Sequence, residues 1–468
     1  MNVIHIEEVN PNLDNFVKSI RDIGYSTQIA VADIIDNSIA AKAKNIDIVA
    51  VTIPYMTLAI LDDGLGMNEE ELKEAMRLAT KSPDDIRNKD DLGRFGLGLK
   101  TASFSQCKTL TVISKKNDQL FLRQWDLDYL AKENRWLLIT PDESDYEDFP
   151  LYKKLAKQKN GTLVIWENID GFTEEALAHT IDSLRNHLSL VFHRFLEGRG
   201  RLNIEVNQNK LEPLNPFNIN HPSTQQLSAE QIKFKGGTVQ VQPFILPHHS
   251  KVTPLEYERY GTEEGYTKAQ GFYLYRSNRL LIHGTWWGIH KAIDAHKLVR
   301  IKIDIPNDQD KFWQIDIKKS SASPVNELKA DLKRIIKQST EIGSRPYTGR
   351  GRKIEDKSTT RFWELSSVGG KIAFSINQQH PLLVLLKSKV ENEELLNVLD
   401  LYLNGLQAYL PLEAIQAQLQ QNPQNIDQRN IMKEQDATYI FDKLNTLDID
   451  PGFIASLLKS EMFKGREF

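Results

Sequence analysis

The segment 27–43, TQIAVADIIDNSIAAKA, places the tightest constraint on the fold. Ile29, Ala32, Ile35, Ile39 and Ala43 recur at helical spacing and define a face meant for burial. The same helix carries Asp33, Asp36 and Asn37, and polar groups buried without partners cost stability. A fold that buries this helix must therefore bring partners or a ligand to those side chains. Asp33 and Asn37 are four residues apart and so share one face. Thr27 is expected to cap the helix.

The surroundings read as a layered α+β structure. A helix is expected near Asn12 to Asp22. Two β-branched runs, NIDIVAVTI from Asn45 and TLAILDD from Thr57, have the pattern of strands, and NEEELKEAMRLA from Asn68 reads as a helix whose cap is Asn68. Residues 80–98, TKSPDDIRNKDDLGRFGLG, are polar and then glycine-rich, a long loop of the functional kind, and they lead into the helix LKTASFSQ from Leu99. Strands are expected at 108–115, 119–127, 135–140 and 161–169, giving a sandwich with helices on one sheet face. A helix from Thr173 to about Glu197 leads to a second set of strands at 201–207, 238–246, 271–282 and 299–305, closed by a helix from Pro324 to Ile342. The boundaries are thus expected at 1–172, 173–343, a basic linker at 344–360, and a mainly helical region at 361–468 that holds a glutamine-rich patch.

The 468 residues are too many for one ordinary domain, and 40% hydrophobic with 26% charged residues is the composition of a soluble globular protein. A net charge of -4 gives no overall signature of a nucleic-acid binder, so any basic surface is local. The single Cys107 excludes an intramolecular disulfide and is expected as a small buried hydrophobe in a reducing compartment. With no basic-then-apolar leader in MNVIHIEEVNPNLDNF and no apolar run of about 18 residues, the expectation is a cytoplasmic protein with no membrane partner.

Three motifs carry chemistry. The first is the Asp33/Asn37 pair, the second is DDGLG at 62–66 after a strand, and the third is GRFGLG at 93–98 opening a helix. Glycines let consecutive backbone N–H groups turn toward an anion, and a helix start adds a favourable partial charge. The spacing is neither that of a dinucleotide-binding fingerprint nor that of a P-loop.

In this order the three motifs resemble the GHKL (Bergerat-fold) ATPase superfamily, which includes type II topoisomerases, the large heat-shock chaperone, MutL, MORC proteins and histidine kinases. The resemblance is nearest to bacterial MORC-like and MutL-like proteins and covers roughly residues 10–345. It implies a Bergerat-fold ATPase sandwich at 1–172 and a transducer-like α+β domain at 173–343. It further implies that Asn37 holds the Mg²⁺ bridging the ATP phosphates and that Asp33 stands where a carboxylate activates water. Asp62 would accept from the adenine amino group, with Gly64, Gly66 and Met67 beside the base. Gly93, Phe95, Gly96, Leu97, Gly98 and Leu99 would form lid and phosphate contacts, with Lys100 adding charge and Thr162 standing beside the adenine carboxylate. The family usually has Glu where this chain has Asp33. A carboxylate about 1 Å further back can cost around 10²-fold in rate, so turnover is expected to be slow. Asp36 is expected as structural support.

The stretch GFYLYRSNRLLIHGTWWG from Gly271 resembles the transducer domain of MutL and MORC relatives, where a strand ending in an Asn-Arg pair, here Asn278 and Arg279, enters a turn. That likeness implies a lysine reaching the γ-phosphate from the loop DIKKSSASP at 316–324, either Lys318 or Lys319. Trp286 and Trp287 are expected in core or interface packing. RPYTGRGRK at 345–353 is read equally as a phosphate-backbone contact or as a soluble linker. The whole implies a slow Mg-dependent ATPase whose N-terminal domains close as a homodimer, acting on DNA or with a nuclease or other protein in a bacterial (antiviral) defence cassette. The alternative is a nucleotide-sensing adaptor that recruits a protein partner. The histidine-kinase branch is disfavoured, because only His5 precedes Asp33 and no phosphoacceptor hairpin fits there.

Overall fold

The computed structural model describes residues 12–22, 24–53, 55–78, 98–169, 174–198, 200–262, 264–316, 319, 321–344, 360–368, 371–415, 438–439, 441–443, 451–460 and 463. They fall into two compact units, one spanning residues up to Pro247 together with Glu258–Gly343, the other His248–Tyr257 together with Ser344 onward.

The first unit opens with helices α1 (Leu13–Arg21) and α2 (Thr27–Ala40). The cap of α2 is Ser26, one residue earlier than expected. Its side chain accepts from the Ile29 N–H, while the Thr27 hydroxyl donates to Gln106 Oε1. Strands β1 (Asn45–Val51) and β2 (Thr57–Asp62) form the expected antiparallel pair, and α3 (Glu69–Met76) starts at a reciprocal Asn68–Glu71 capping box. Helix α4 (Gly98–Gln106), strands β3 (Cys107–Lys116) and β4 (Gln119–Asp126), helices α5 (Leu127–Glu133) and α6 (Tyr152–Lys157), strand β5 (Gly161–Ile169) and helix α7 (Glu174–Val191) follow, then a short α8 (His193–Leu196). The expected strand at 135–140 reduces to one bridge between Ile139 and Gln124.

The first sheet runs β4-β3-β5-β2-β1-β6-β7, where β6 is Asn203–Val206 and β7 is Asn209–Lys210. The run after Arg201, expected in the second strand set, instead pairs parallel with β1 as β6, so this sheet takes a strand from beyond α7. Helices α1, α2, α4 and α7 pack on one face over a core that includes Ile35, Ile48, Phe104, Trp166 and Leu184. The opposite face is not bare, since Tyr146, Tyr152 and Leu155 cover Leu61, Ile113 and Ile165. Cys107 sits buried in the helix-side core, as expected.

The second sheet is β12-β11-β13-β10-β8, with β9 beside β10. Its strands are β8 (Gln225–Gln226), β9 (Glu230–Phe234), β10 (Gly237–Ile245), β11 (Gly271–Arg276), β12 (Arg279–Thr285) and β13 (Val299–Ile305). A strand run was expected over 271–282, with a turn at its Asn-Arg pair. The chain reverses there, at Ser277 and Asn278, both at positive φ, as a two-residue hairpin needs. Trp286 is buried and Trp287 stacks on Phe272 at 4.7 Å, so both tryptophans serve packing. Helices α9 (Pro254–Gly261) and α10 (Asn326–Gly343) complete the ordered elements up to residue 343.

The second unit contains helices Pro381–Lys389, Glu393–Ala408 and Pro451–Leu457, as expected for a mainly helical region, and also an antiparallel hairpin of β14 (Trp363–Val368) with β15 (Lys371–Ile376). Among the described residues no helix is long and apolar enough to cross a membrane. Residues 345–353 lie outside the described residues.

Candidate functional site

The polar residues of α2 divide into two environments. Asn37 is exposed, while Asp33 and Asp36 are buried at 3% and 1% exposure. Burial of two carboxylates demands counter-charges, and the second sheet and the loop at 316–324 supply them. Lys319 Nζ lies 3.1 Å from Asp33 Oδ1 and 2.5 Å from Asp36 Oδ2, and Arg279 Nε lies 3.0 Å from Asp36 Oδ1. The four formal charges cancel. Tyr25 adds a hydroxyl donated to Asp33 Oδ2 at 3.3 Å. Burial pushes the Asp33 carboxyl above the usual carboxylate range, with Lys319 and Arg279 opposing the rise and Asp36 adding to it. A base of raised pKa holds a proton more strongly, which suits a group that must take one.

Of the two lysines offered by the 316–324 loop, Lys319 enters the cluster; Lys318 lies outside the described residues. The loop is shaped to deliver it. Lys319 sits at φ +54°, its N–H donates to Asp316 O, and the Ser321 N–H donates to the Asp316 carboxylate. A non-glycine residue in that conformation persists only where its surroundings hold it, here by two buried ion pairs.

The second motif lies at the C-terminal end of α2. Asp62 ends β2, buried, and accepts from Ser38 Oγ at 2.8 Å and from the Gly64 N–H at 2.9 Å. Burial raises its pKa to about 6 against those two donors. The Leu65 N–H donates to Ala41 O, fastening the turn to α2. Gly66 has φ +63°, and a Cβ there would stand 1.9 Å from Lys115 O. One on Gly64 would meet Ala41 at 2.9 Å. Both glycines are therefore required by the protein's own packing. Thr162 faces Asp62 across the β2–β5 ladder, and its hydroxyl lies 3.1 Å from Ser114 Oγ, which also accepts from the Met67 N–H at 2.8 Å.

The third motif is described only from Gly98. It starts α4 beside the cluster, where a Cβ would come within 4.0 Å of Asp33 Oδ2. Gly93, Phe95, Gly96 and Leu97 lie outside the described residues. Leu99 packs against the core. Lys100 is buried, and its ammonium donates to Ala75 O at the end of α3. The site as built thus also contains Tyr25, Ser38, Ser114 and Arg279. None of the four was singled out from sequence, although the Asn-Arg pair at 278–279 had marked the place of the last.

Residues 25–162 match the family model of the histidine kinase-, DNA gyrase B- and HSP90-like ATPases, a span that runs from Tyr25 to Thr162 and includes all three motifs. The region 25–162 is that of a GHKL ATPase. It is similar to the ATPase morc-1 of Caenorhabditis elegans, with 31% identity over 113 residues, 24% of this chain and 13% of that protein. To the chaperone protein HtpG of Treponema denticola it is 32% identical over 119 residues, covering 23% and 18%. To the DNA mismatch repair protein MLH3 of Saccharomyces cerevisiae it is 30% identical over 173 residues, covering 35% and 22%. The aligned part is less than a quarter of each of these relatives, so the likeness concerns the GHKL region. Arg279 and Lys319 lie beyond the family-model match and are features of this chain's own second sheet and loop.

Proposed function

We propose that this GHKL protein binds Mg-ATP along the exposed edge of α2 and hydrolyses it slowly. The observation that carries the reading is the arrangement of Asp62, Asn37 and Asp33 along one helix and its adjoining turn. The buried acceptor Asp62 stands at one end, the exposed amide of Asn37 lies between, and Asp33 stands beside the start of α4. The donor set fits the cofactor, since one protein oxygen from Asn37 with phosphate and water oxygens suits Mg²⁺. Magnesium, when bound, neutralises charge on the phosphates.

The chain's own residues account for the rest. Asp62, already holding Ser38 and Gly64, keeps lone-pair capacity for an exocyclic amino group such as that of adenine. Asp33 orients a water and takes its proton. Lys319 is a compact point charge that can turn from the carboxylates to a phosphoryl group, which ties nucleotide binding to the loop at 316–324. By analogy with relatives named as a MORC ATPase and a mismatch repair protein, ATP would close two protomers through their N-terminal regions around DNA or a DNA-processing complex, with a bacterial defence role as the broadest setting.

A second reading, a nucleotide-sensing adaptor with little hydrolysis, is favoured by one observation. Asp33 is a short carboxylate engaged by Lys319 at 3.1 Å, so the base is held away from free duty. Single-turnover phosphate production from ATP by wild type and Asp33→Ala separates the two. A clear rate lost in the variant supports the enzyme, and near-zero rates in both, with ATP still bound, support the adaptor.

A further inference from the structure

Behind the Asp33 cluster the first unit is hollow. A cavity of about 160 Å³ is lined by Ile29, His187, His283 and the two cluster cations, Arg279 and Lys319. A larger cavity of about 810 Å³ shares Ile29, His187 and His283 with it and reaches the surface at the exposed Asp182, Lys210 and Glu212. The two cavities adjoin at these shared residues, the smaller against the Asp33 cluster and the larger open to solvent.

The direction of this passage follows from helical geometry. Ile29, Asp33 and Asn37 are spaced by four on α2, so each lies about one turn, roughly 5.4 Å, from the next on one face. Asn37 marks the nucleotide side and Ile29 the cavity side, with Asp33 between. In hydrolysis the water oxygen bonds to the γ-phosphorus, the bridging P–O bond to ADP breaks, and the water proton passes to the Asp33 carboxylate. In-line displacement carries the phosphoryl group away from ADP and toward the attacking water, that is, toward Asp33 and Lys319. The free phosphate is therefore formed at the inner end of the passage, with ADP on its other side.

We propose that inorganic phosphate leaves by this rear passage, handed from Lys319 and Arg279 past His187 and His283 into the larger cavity. This rests on the ATPase reading above. The cations at the inner end face the cavity as well as the carboxylates, so they attract the anion, while the outer part mixes Arg185, Lys210 and Arg259 with Asp182, Glu212, Glu258 and Glu264, a lining that does not hold the phosphate back by charge. Both imidazoles are half-buried, and burial pushes His187 down to about 3, with Arg279 and His283 adding to the effect. The ring is then neutral at physiological pH and can donate one hydrogen bond without trapping the anion by charge.

The test separates chemistry from release. In single turnovers of the full chain with Mg-ATP, acid quenching follows bond cleavage, and a fluorescent phosphate-binding protein follows release. In His187→Trp, which plugs the shared throat, cleavage is expected within about twofold of wild type and release slowed at least about fivefold. Ser189→Trp, at the wall of the larger cavity, gives the same readout if His187→Trp does not fold, and Ile29→Ala, which widens the throat, is expected to release no more slowly than wild type. Release that keeps pace with wild type in both tryptophan variants overturns the passage while leaving the ATPase intact. A wild type that binds but never cleaves ATP removes hydrolysis itself, and the passage with it.

Discussion

Replacing Arg279 by Met tests whether the second sheet neutralises the buried acids of α2. In the native protein Asp33, Asp36, Lys319 and Arg279 form a neutral group, and the Arg279–Asp36 pair has side-chain exposures of only 4% and 2%. Arg279→Met leaves two carboxylates facing one ammonium. Breaking a pair this deeply buried costs about 3–5 kcal/mol, because one charge stays in the interior uncompensated. Against a total stability of about 5–15 kcal/mol that is a large fraction. Arg279 also donates to Leu280 O, a loss common to every variant lacking the guanidinium, so it cancels in a cycle. The decisive comparison is the double variant Arg279→Met/Asp36→Leu, which restores neutrality by leaving the Lys319–Asp33 pair alone. Urea denaturation followed by circular dichroism should place the double variant at least about 1–2 kcal/mol above the sum of the two single changes, a coupling within the usual range for contacting residues. A double variant as unstable as the sum of the two single changes would refute the charge argument, as would a cost below about 1 kcal/mol for Arg279→Met alone.

Three further outcomes follow from the same geometry. Gly66→Ala must place a Cβ against Lys115 O at positive φ, so it should lose more than about 1–3 kcal/mol by thermal or urea unfolding and weaken ATP binding. Lys319→Met should slow single-turnover cleavage by about 10²-fold, the usual cost of losing one charge-stabilising group, measured by acid quench. The folded pKa of Asp62, about 6, lies above its unfolded value near 3.9, so the folded state holds the extra proton between them. Stability from this group is then present at low pH, falls by about 1.4 kcal/mol per unit as pH rises from about 4 to 6, and is flat above. The difference in unfolding free energy between wild type and Asp62→Asn over that range should carry this slope, and a pH-independent difference would count against the burial argument.

Much of the first layer was legible in the sequence because its signals are local. The helical period of 27–40, the Asn68 cap and the strand runs at 45–51, 57–62 and 161–169 each depend on neighbours a few residues away. The order of the three motifs also carried the superfamily. What the sequence withheld is non-local. Asp36 meets Arg279 across 243 positions and Asp33 meets Lys319 across 286, and no periodicity encodes such a pairing. The same holds for β6, whose short run alternates like any strand and gives no sign that it joins β1 rather than its own neighbours. Two strand bounds turned on local signals. The Ser277-Asn278 pair is a turn signal inside an apolar run, and it divides the expected strand at 271–282 into a hairpin. Conversely, the run RWLLIT at 135–140 is apolar enough for a strand, yet Trp136 is used in edge-to-face contacts with Phe16 and Trp125 and only Ile139 bridges β4.

Equilibrium binding of Mg-ATP to wild type and Asp62→Asn tests the central claim most directly. Asp62 is surrounded by donors, Ser38 Oγ and the Gly64 N–H, and on this account by the adenine amino group as well. An asparagine there must turn its own N–H₂ toward one of them, which costs a hydrogen bond and leaves opposed donors. Titration calorimetry should find ATP bound by the wild type and affinity reduced at least about tenfold, or about 1.4 kcal/mol, in a folded Asp62→Asn. Absence of ATP binding by the wild type, or equal affinities in the two proteins, would contradict the assignment of this site.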